Sequence, residues 1–187
     1  MPATRPHLDR DLKRKQILDA AEKLLLRNGY DATAMAEVAR RAGVANNAVY
    51  WYFASKDDLL AAVLGRRQER ALENLPAPDT LTPDEQALAM LAQLDQVAKL
   101  TATVHERAQH STAVAEMHKA FHAAADRLLR SLFQDAGLDA NDAAQAARAM
   151  MALVEGIHLH EPDRDTAARN DLVLWTLHRL APDLDRR

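Results

Sequence analysis

The chain has 187 residues, 48% hydrophobic and 27% charged, with a formal net charge of −3 and no cysteine. That composition belongs to a globular chain long enough to bury a core, and it excludes disulfides, thiol nucleophiles and cysteine-based metal sites. With only 5 glycines and abundant alanine and leucine, the expected fold class is all-α. No N-terminal apolar stretch resembles a signal peptide and no run approaches the roughly 20 apolar residues of a membrane span, so a cytoplasmic protein with no membrane partner is expected. Charge is unevenly spread. Residues 1–70 carry 13 Lys+Arg against 9 Asp+Glu (net +4), and residues 71–187 carry 11 against 18 (net −7), which points to a polyanion-binding N-terminal end.

Helical periodicity over Asp11 to Asn28 places Ile17, Ala21, Leu24 and Leu25 on one face, with Gly29 at the C-terminal stop. Thr33 precedes a short helix with Met35, Val38 and Ala39 inward, ended by Gly43. A third helix is predicted over Ala45 to Trp51. Ser55 and Asp58 form a capping box for a fourth running to about Leu75. Three prolines between Pro76 and Pro83 interrupt the helical pattern. A second capping box, Thr82 with Glu85 around Pro83, then opens a helix predicted to continue to about Gln109. Further helices are predicted from Ser111 to about Ala136, closed by Gly137, from Asn141 to about His160, before Pro162, and from Asp165 to about Leu180.

Four of the eight aromatic residues stand in a row, Tyr50, Trp51, Tyr52 and Phe53. They end the second of two short helices joined by the tight turn Ala42-Gly43-Val44, a helix-turn-helix arrangement whose second helix suits the DNA major groove. Asn46 and Asn47 on that helix carry amides able to bond the N6 and N7 edge of adenine, and Trp51 can touch a thymine methyl or a sugar. The phenol of Tyr50 can donate to a phosphate, Tyr52 is a second phosphate candidate, and Lys56 opens the next helix where backbone amides also favour an anion. Thr33 is suited to two roles, helix cap and phosphate donor. Phe53, Val44, Val49, Leu59 and Leu60 are expected in the core. Arg5, Arg10, Lys13, Arg14 and Lys15 form either a further DNA contact or a solvated basic face.

The run Thr33-x-Met35-x-x-Val38-Ala39-x-x-Ala42-Gly43-Val44, followed by Val49-Tyr50-Trp51-Tyr52-Phe53-x-Ser55-Lys56-x-x-Leu59-Leu60, resembles the TetR/AcrR family of transcriptional regulators. Ile17-Leu18-x-Ala20-Ala21, Leu24 and Gly29-Tyr30 match that family's first helix. The similarity covers about residues 14 to 64. It implies that Tyr50 and Lys56 grip the DNA backbone, and it departs from the usual pattern in Ala45 and Ala48, where small hydroxyl residues are common, and in Asn47, where glycine or proline is frequent. The implied organisation is a DNA-binding domain over 1–54, a connecting helix over 55–75 and a ligand-binding and dimerisation domain over 76–187. The implied partners are double-stranded DNA, a small-molecule inducer and a second copy of the chain. No cofactor, resident metal or catalytic residue is expected.

For the C-terminal part the resemblance implies a homodimer through the last two helices, and Met150, Leu153, Ile157, Leu172 and Trp175 are the candidate interface. Leu172 to Trp175 are four consecutive apolar residues that cannot all face one core, while Ala143, Ala144, Ala146, Ala147 and Gly156 permit close helix approach. Apolar candidates for a ligand pocket are Met90, Leu94, Met117, Phe121, Met150, Met151 and Trp175, with methionine supplying adaptable surface. Polar candidates are His105, His110, His118, His122, Glu155 and His158. The expected function is a homodimeric repressor of an inverted-repeat operator, released by an inducer. Three alternatives remain. One is a metal-responsive regulator using His118 and His122, which stand four apart on one helical face. Another is a helical enzyme using the histidines and carboxylates of residues 105–160, although no nucleophile elbow, phosphate loop or HExxH pair occurs. The third is a protein-interaction module that has lost DNA binding, which the departures at Ala45 and Ala48 leave open.

Overall fold

The computed structural model describes residues 5–74, 80–161 and 165–182, with side chains from Asp9 onward. All regular structure among them is helical, as the composition implies: α1 (Arg5–Asn28), α2 (Met35–Ala42), α3 (Asn46–Tyr52), α4 (Lys56–Glu73), α5 (Pro83–Asp95), α6 (Thr101–Ala108), α7 (Thr112–Asp135), α8 (Ala140–His160) and α9 (Thr166–Leu180). No helix among these residues is long and apolar enough to cross a membrane. The expected break over Pro76–Asp79, the stop at Pro162 and the side chain of Arg5 lie outside the described residues.

Two compact units are formed, and the division departs from the expected boundaries. One comprises Met1–Glu69 with Ala102–His118, and the other Arg70–Thr101 with Lys119–Arg187. A stretch from the middle of the chain therefore packs with the N-terminal helices, which no local pattern announces.

In the first unit α1 packs on α2 and α2 on α3. The predicted stripe Ile17, Ala21, Leu24 and Leu25 is buried, and Val38, Val49, Leu59, Leu60 and Val63 bury with it. Phe53 is core as expected, and Val44 is half-buried. Helix α2 ends at Gly43 (φ 67°), which a side chain would strain. Its N–H donates to Arg40 O, and the Val44 N–H to Ala39 O, so a paired backbone motif satisfies the last carbonyls and turns the chain directly into α3. Helix α4 is tied to α1 by charge: Arg66 reaches Asp19 at 2.8 Å and Glu22 at 2.7 Å, and Arg67 reaches Glu22 at 2.6 Å.

The second unit has its own core, in which Leu91, Phe133, Met150, Ile157, Val173 and Leu177 are central. Helix α9 packs on α8 and α5. The capping box at Thr82 forms as predicted, with Glu85 N–H donating to Thr82 Oγ1 and Thr82 N–H to the Glu85 carboxylate. The helix it opens is not continuous to Gln109. It ends at Asp95, and a single 3-10 turn over Ala98–Leu100 leads into α6. Two tertiary demands act there: Leu100 is buried, and the Asp95 carboxylate is held by His158 at 2.9 Å and by Arg169. Neither glycine nor proline marks the break.

Candidate nucleic-acid interface

Helix α3 presents one face and buries the other because of its spacing. Asn46, Asn47, Tyr50 and Trp51 fall at i, i+1, i+4 and i+5, which share one side of a 3.6-residue helix, and all four are exposed. Trp51 is 83% exposed and Tyr50 50%. Val49 points the other way and is fully buried, while Ala48 and Tyr52 are half-buried. An exposed tryptophan beside two free amides and a phenol, on a helix anchored by valine and closed by buried Phe53, offers edges for hydrogen bonding and an apolar plane for methyl contact.

Beyond Phe53, Ser55 Oγ accepts from the Asp58 N–H at 3.1 Å and donates to its carboxylate at 2.8 Å, fixing the start of α4. Lys56, the first residue of α4, lies with Nζ 4.1 Å from the Tyr30 ring centroid and donates to Asp31 O at 3.3 Å. Partial burial pushes its ammonium below the ordinary lysine value. Thr33 does not cap α2. It is 1% exposed, its hydroxyl donates to Gly29 O at 2.7 Å, and Ala34 rather than Thr33 is the residue before α2, with no side-chain cap. Its hydroxyl braces the α1–α2 turn and does not stand toward solvent.

The expected basic face is partly neutralised within the chain. Lys13 pairs with Asp9 at 3.0 Å and Lys15 with Asp19 at 2.8 Å. Arg14 lies 5.4 Å from the Phe53 ring centroid, and Arg10 is exposed. On α2, Arg40 and Arg41 both bind Glu37, whose carboxyl these guanidinium groups hold down to about 2.

One cluster of this unit escapes any sequence pattern. Asp57 follows Lys56 and is buried; its Oδ1 accepts from the Tyr30 hydroxyl at 2.5 Å and from Arg107 Nε at 3.0 Å, and its Oδ2 from Arg107 Nη2 at 2.6 Å. The Arg107 guanidinium, opposed by burial and helped by Tyr30, holds the Asp57 carboxyl below the usual carboxylate range. Burial, then the Asp57 carboxylate, push the Tyr30 phenol up to about 12. Arg107 sits on α6, fifty positions from its partner, so only folding brings the two together.

The family described as "Bacterial regulatory proteins, tetR family" matches residues 17–63, which span the core of α1 through Val63 of α4. The regulator TtgR of Pseudomonas putida is 30% identical over 165 residues, covering 77% of this chain and 77% of its own length. The chain belongs to the TetR family of transcriptional regulators. The transcriptional activator FasR of Mycolicibacterium smegmatis is 29% identical over 154 residues, with 78% of this chain and 70% of that one covered. The fold is shared with BioQ, solved with its double-stranded DNA operator, at a TM-score of 0.62 and 22% identity over 90% of this chain and 98% of that one. This TetR-family protein is therefore a DNA-binding transcriptional regulator and not an enzyme.

The remaining candidate residues of the regulator distribute between its units. His105, Met117 and His118 fall in the first, where the rings of His105 and His118 meet edge to face at 4.7 Å. His122 falls in the second, where its Nε2 lies 2.9 Å from Glu155 and its ring meets Phe121. Met90, Leu94, Met151, Leu153 and Leu172 are partly buried against the second core. Of the interface candidates, Met150 and Ile157 are buried within the second unit's own core. Ala143, Ala146 and Ala147 likewise face that core, and Gly156 has nothing within 4 Å of where a Cβ would stand. Trp175 is 59% exposed on α9, with Arg179 5.3 Å from its ring centroid.

Proposed function

We propose that this regulator binds an inverted-repeat operator as a homodimer, represses transcription there, and is released by a small molecule held in its second unit. The observation that carries the reading is the face of α3. Asn46, Asn47, Tyr50 and Trp51 are exposed together, and a polar and aromatic surface of this kind has base edges and phosphates as its natural complement. Lys56 supplies a phosphate contact at the start of α4, with Tyr50 and Tyr52 as phenolic donors. Thr33 is left out of the contact set because its hydroxyl is engaged in the fold.

Dimerisation is assigned to the outer surface of α8 and α9, with Trp175, Leu172 and Leu153 as the apolar groups that remain after the core has taken its share. Two recognition helices related by a twofold axis read half-sites about 34–36 Å apart. The inducer is assigned to the apolar rim of the second core, with Met90, Leu94, Met151 and Phe121 as lining and His122 with Glu155 as polar partners. It acts by favouring the arrangement that binds DNA poorly.

The test is selection of bound fragments from the source genome, followed by footprinting and a titration of one such fragment at several salt concentrations. A protected inverted repeat with log K falling linearly in log salt is expected. In Lys56→Ala the slope falls by about 0.9 on every sequence; an unchanged slope removes the phosphate role of Lys56, and protection of a single half-site removes the dimer.

A further inference from the structure

Lys56 has an acidic neighbour that does not hold it. The Asp57 carboxylate is close enough to act on the Lys56 ammonium through space, yet Nζ rests on the Tyr30 ring and the Asp31 carbonyl. The reason lies on α6. Arg107 covers both oxygens of Asp57 in a forked pair, and the Tyr30 hydroxyl takes a further acceptor position on Oδ1. A carboxylate bound bidentately by guanidinium is strongly and directionally satisfied, and so it has little left to offer a neighbouring ammonium.

We infer that Arg107 is a positioning residue for DNA binding: by occupying Asp57 it keeps Lys56 available to a backbone phosphate. Its removal turns Asp57 into an internal competitor, which draws Lys56 into an ion pair inside the protein and away from DNA. The inference rests on the proposed phosphate role of Lys56 and adds the regulation of that contact. Because Arg107 belongs to α6 and not to the helix-turn-helix, a shift of α6 that carries the guanidinium beyond hydrogen-bond reach of Asp57 lowers DNA affinity without altering α3. Two arrangements of one carboxylate, on Arg107 or on Lys56, form the bistable element such coupling requires.

The experiment uses the full chain and one duplex that the wild type selects, with binding followed by fluorescence anisotropy across a salt series and helical content and melting temperature measured alongside. Arg107→Gln is expected to weaken binding and to lower the salt slope by about 0.9, the value for one lost phosphate contact. Combining it with Lys56→Gln adds no further loss of slope. The deciding variant is Arg107→Gln with Asp57→Asn, in which the competitor is neutralised. Recovery of the wild-type slope in that double variant is the expected result, and a general weakening of the fold would not produce it. A double variant as weak as Arg107→Gln overturns the inference and makes Arg107 a direct contact or a stability residue. Should Arg107→Gln lose helical content, Arg107→Lys carries the same comparison, since an ammonium cannot cover both oxygens with a fork. A wild type that shows no salt-dependent binding removes the proposed function together with the inference, whereas normal wild-type binding with an unchanged Arg107→Gln slope removes the inference alone.

Discussion

In the first unit Asn46, Asn47, Tyr50 and Trp51 stand in solvent above a buried Val49, whereas in the second unit Asp95, His158 and Arg169 turn toward one another across three helices. The first arrangement leaves polar groups unspent, as a surface that must read another molecule requires. The second consumes them: the aspartate at the end of α5 takes a histidine from α8 and an arginine from α9, and both of those are buried. Such a cluster orients helices but contributes little net stability, because desolvation offsets most of the attraction. Composition alone does not separate the two uses. Exposure does.

The comparison breaks most readily at the second core. Phe133 is fully buried, and Phe133→Ala is expected to lower stability by about 3–5 kcal/mol, seen as a fall in urea midpoint; a change below about 1 kcal/mol would mean that α7 can collapse onto the space. Asp95→Ala comes next. It strands the Arg169 charge and is expected to cost about 3 kcal/mol, while Asp95→Leu with Arg169→Leu recovers most of that loss. If the double variant is no more stable than Asp95→Ala, the cluster is not acting as a charge pair.

On the open face the expected effects are smaller and of another kind. Asn46→Ala or Asn47→Ala should leave the melting temperature nearly unchanged and relax base preference at one operator position by about 1–3 kcal/mol. Binding to a set of singly substituted duplexes checks this, and a uniform loss on all of them would reassign the amide to phosphate. The smallest effect is the dependence of stability on acid pH through Asp57. Arg107 and Tyr30 hold its folded value below the ordinary carboxylate range, so its contribution is fully present above that ordinary value and is lost as pH falls through the lower folded one. Denaturation at steps between about pH 5 and pH 3 should therefore show a steeper loss in the wild type than in Asp57→Asn.

Much of the DNA-binding end is legible from local pattern. Gly43 marks a turn because its φ of 67° suits glycine, Val49 and Phe53 mark the inward side of α3, and Asn46, Asn47, Tyr50 and Trp51 mark the outward side by their spacing. Thr33 suits a cap or a phosphate donor by its position in the sequence, and its inward turn toward Gly29 depends on how α1 meets α2. The second unit is harder to read for a similar reason. Its apolar residues run around most of each helix, so periodicity does not tell Met150 and Ile157, which bury internally, from Trp175, which does not.

Local rules act over about four residues, and what they govern is determined by sequence alone here: the all-helical class, most helix ends and caps, and the two faces of α3. Only the tertiary structure decided the break after Asp95, the packing of residues 102–118 with the N-terminal helices, and the meeting of Tyr30, Asp57 and Arg107. These depend on contacts between residues 27 to 77 positions apart, whose partners are chosen by burial and charge in three dimensions and leave no periodic trace along the chain.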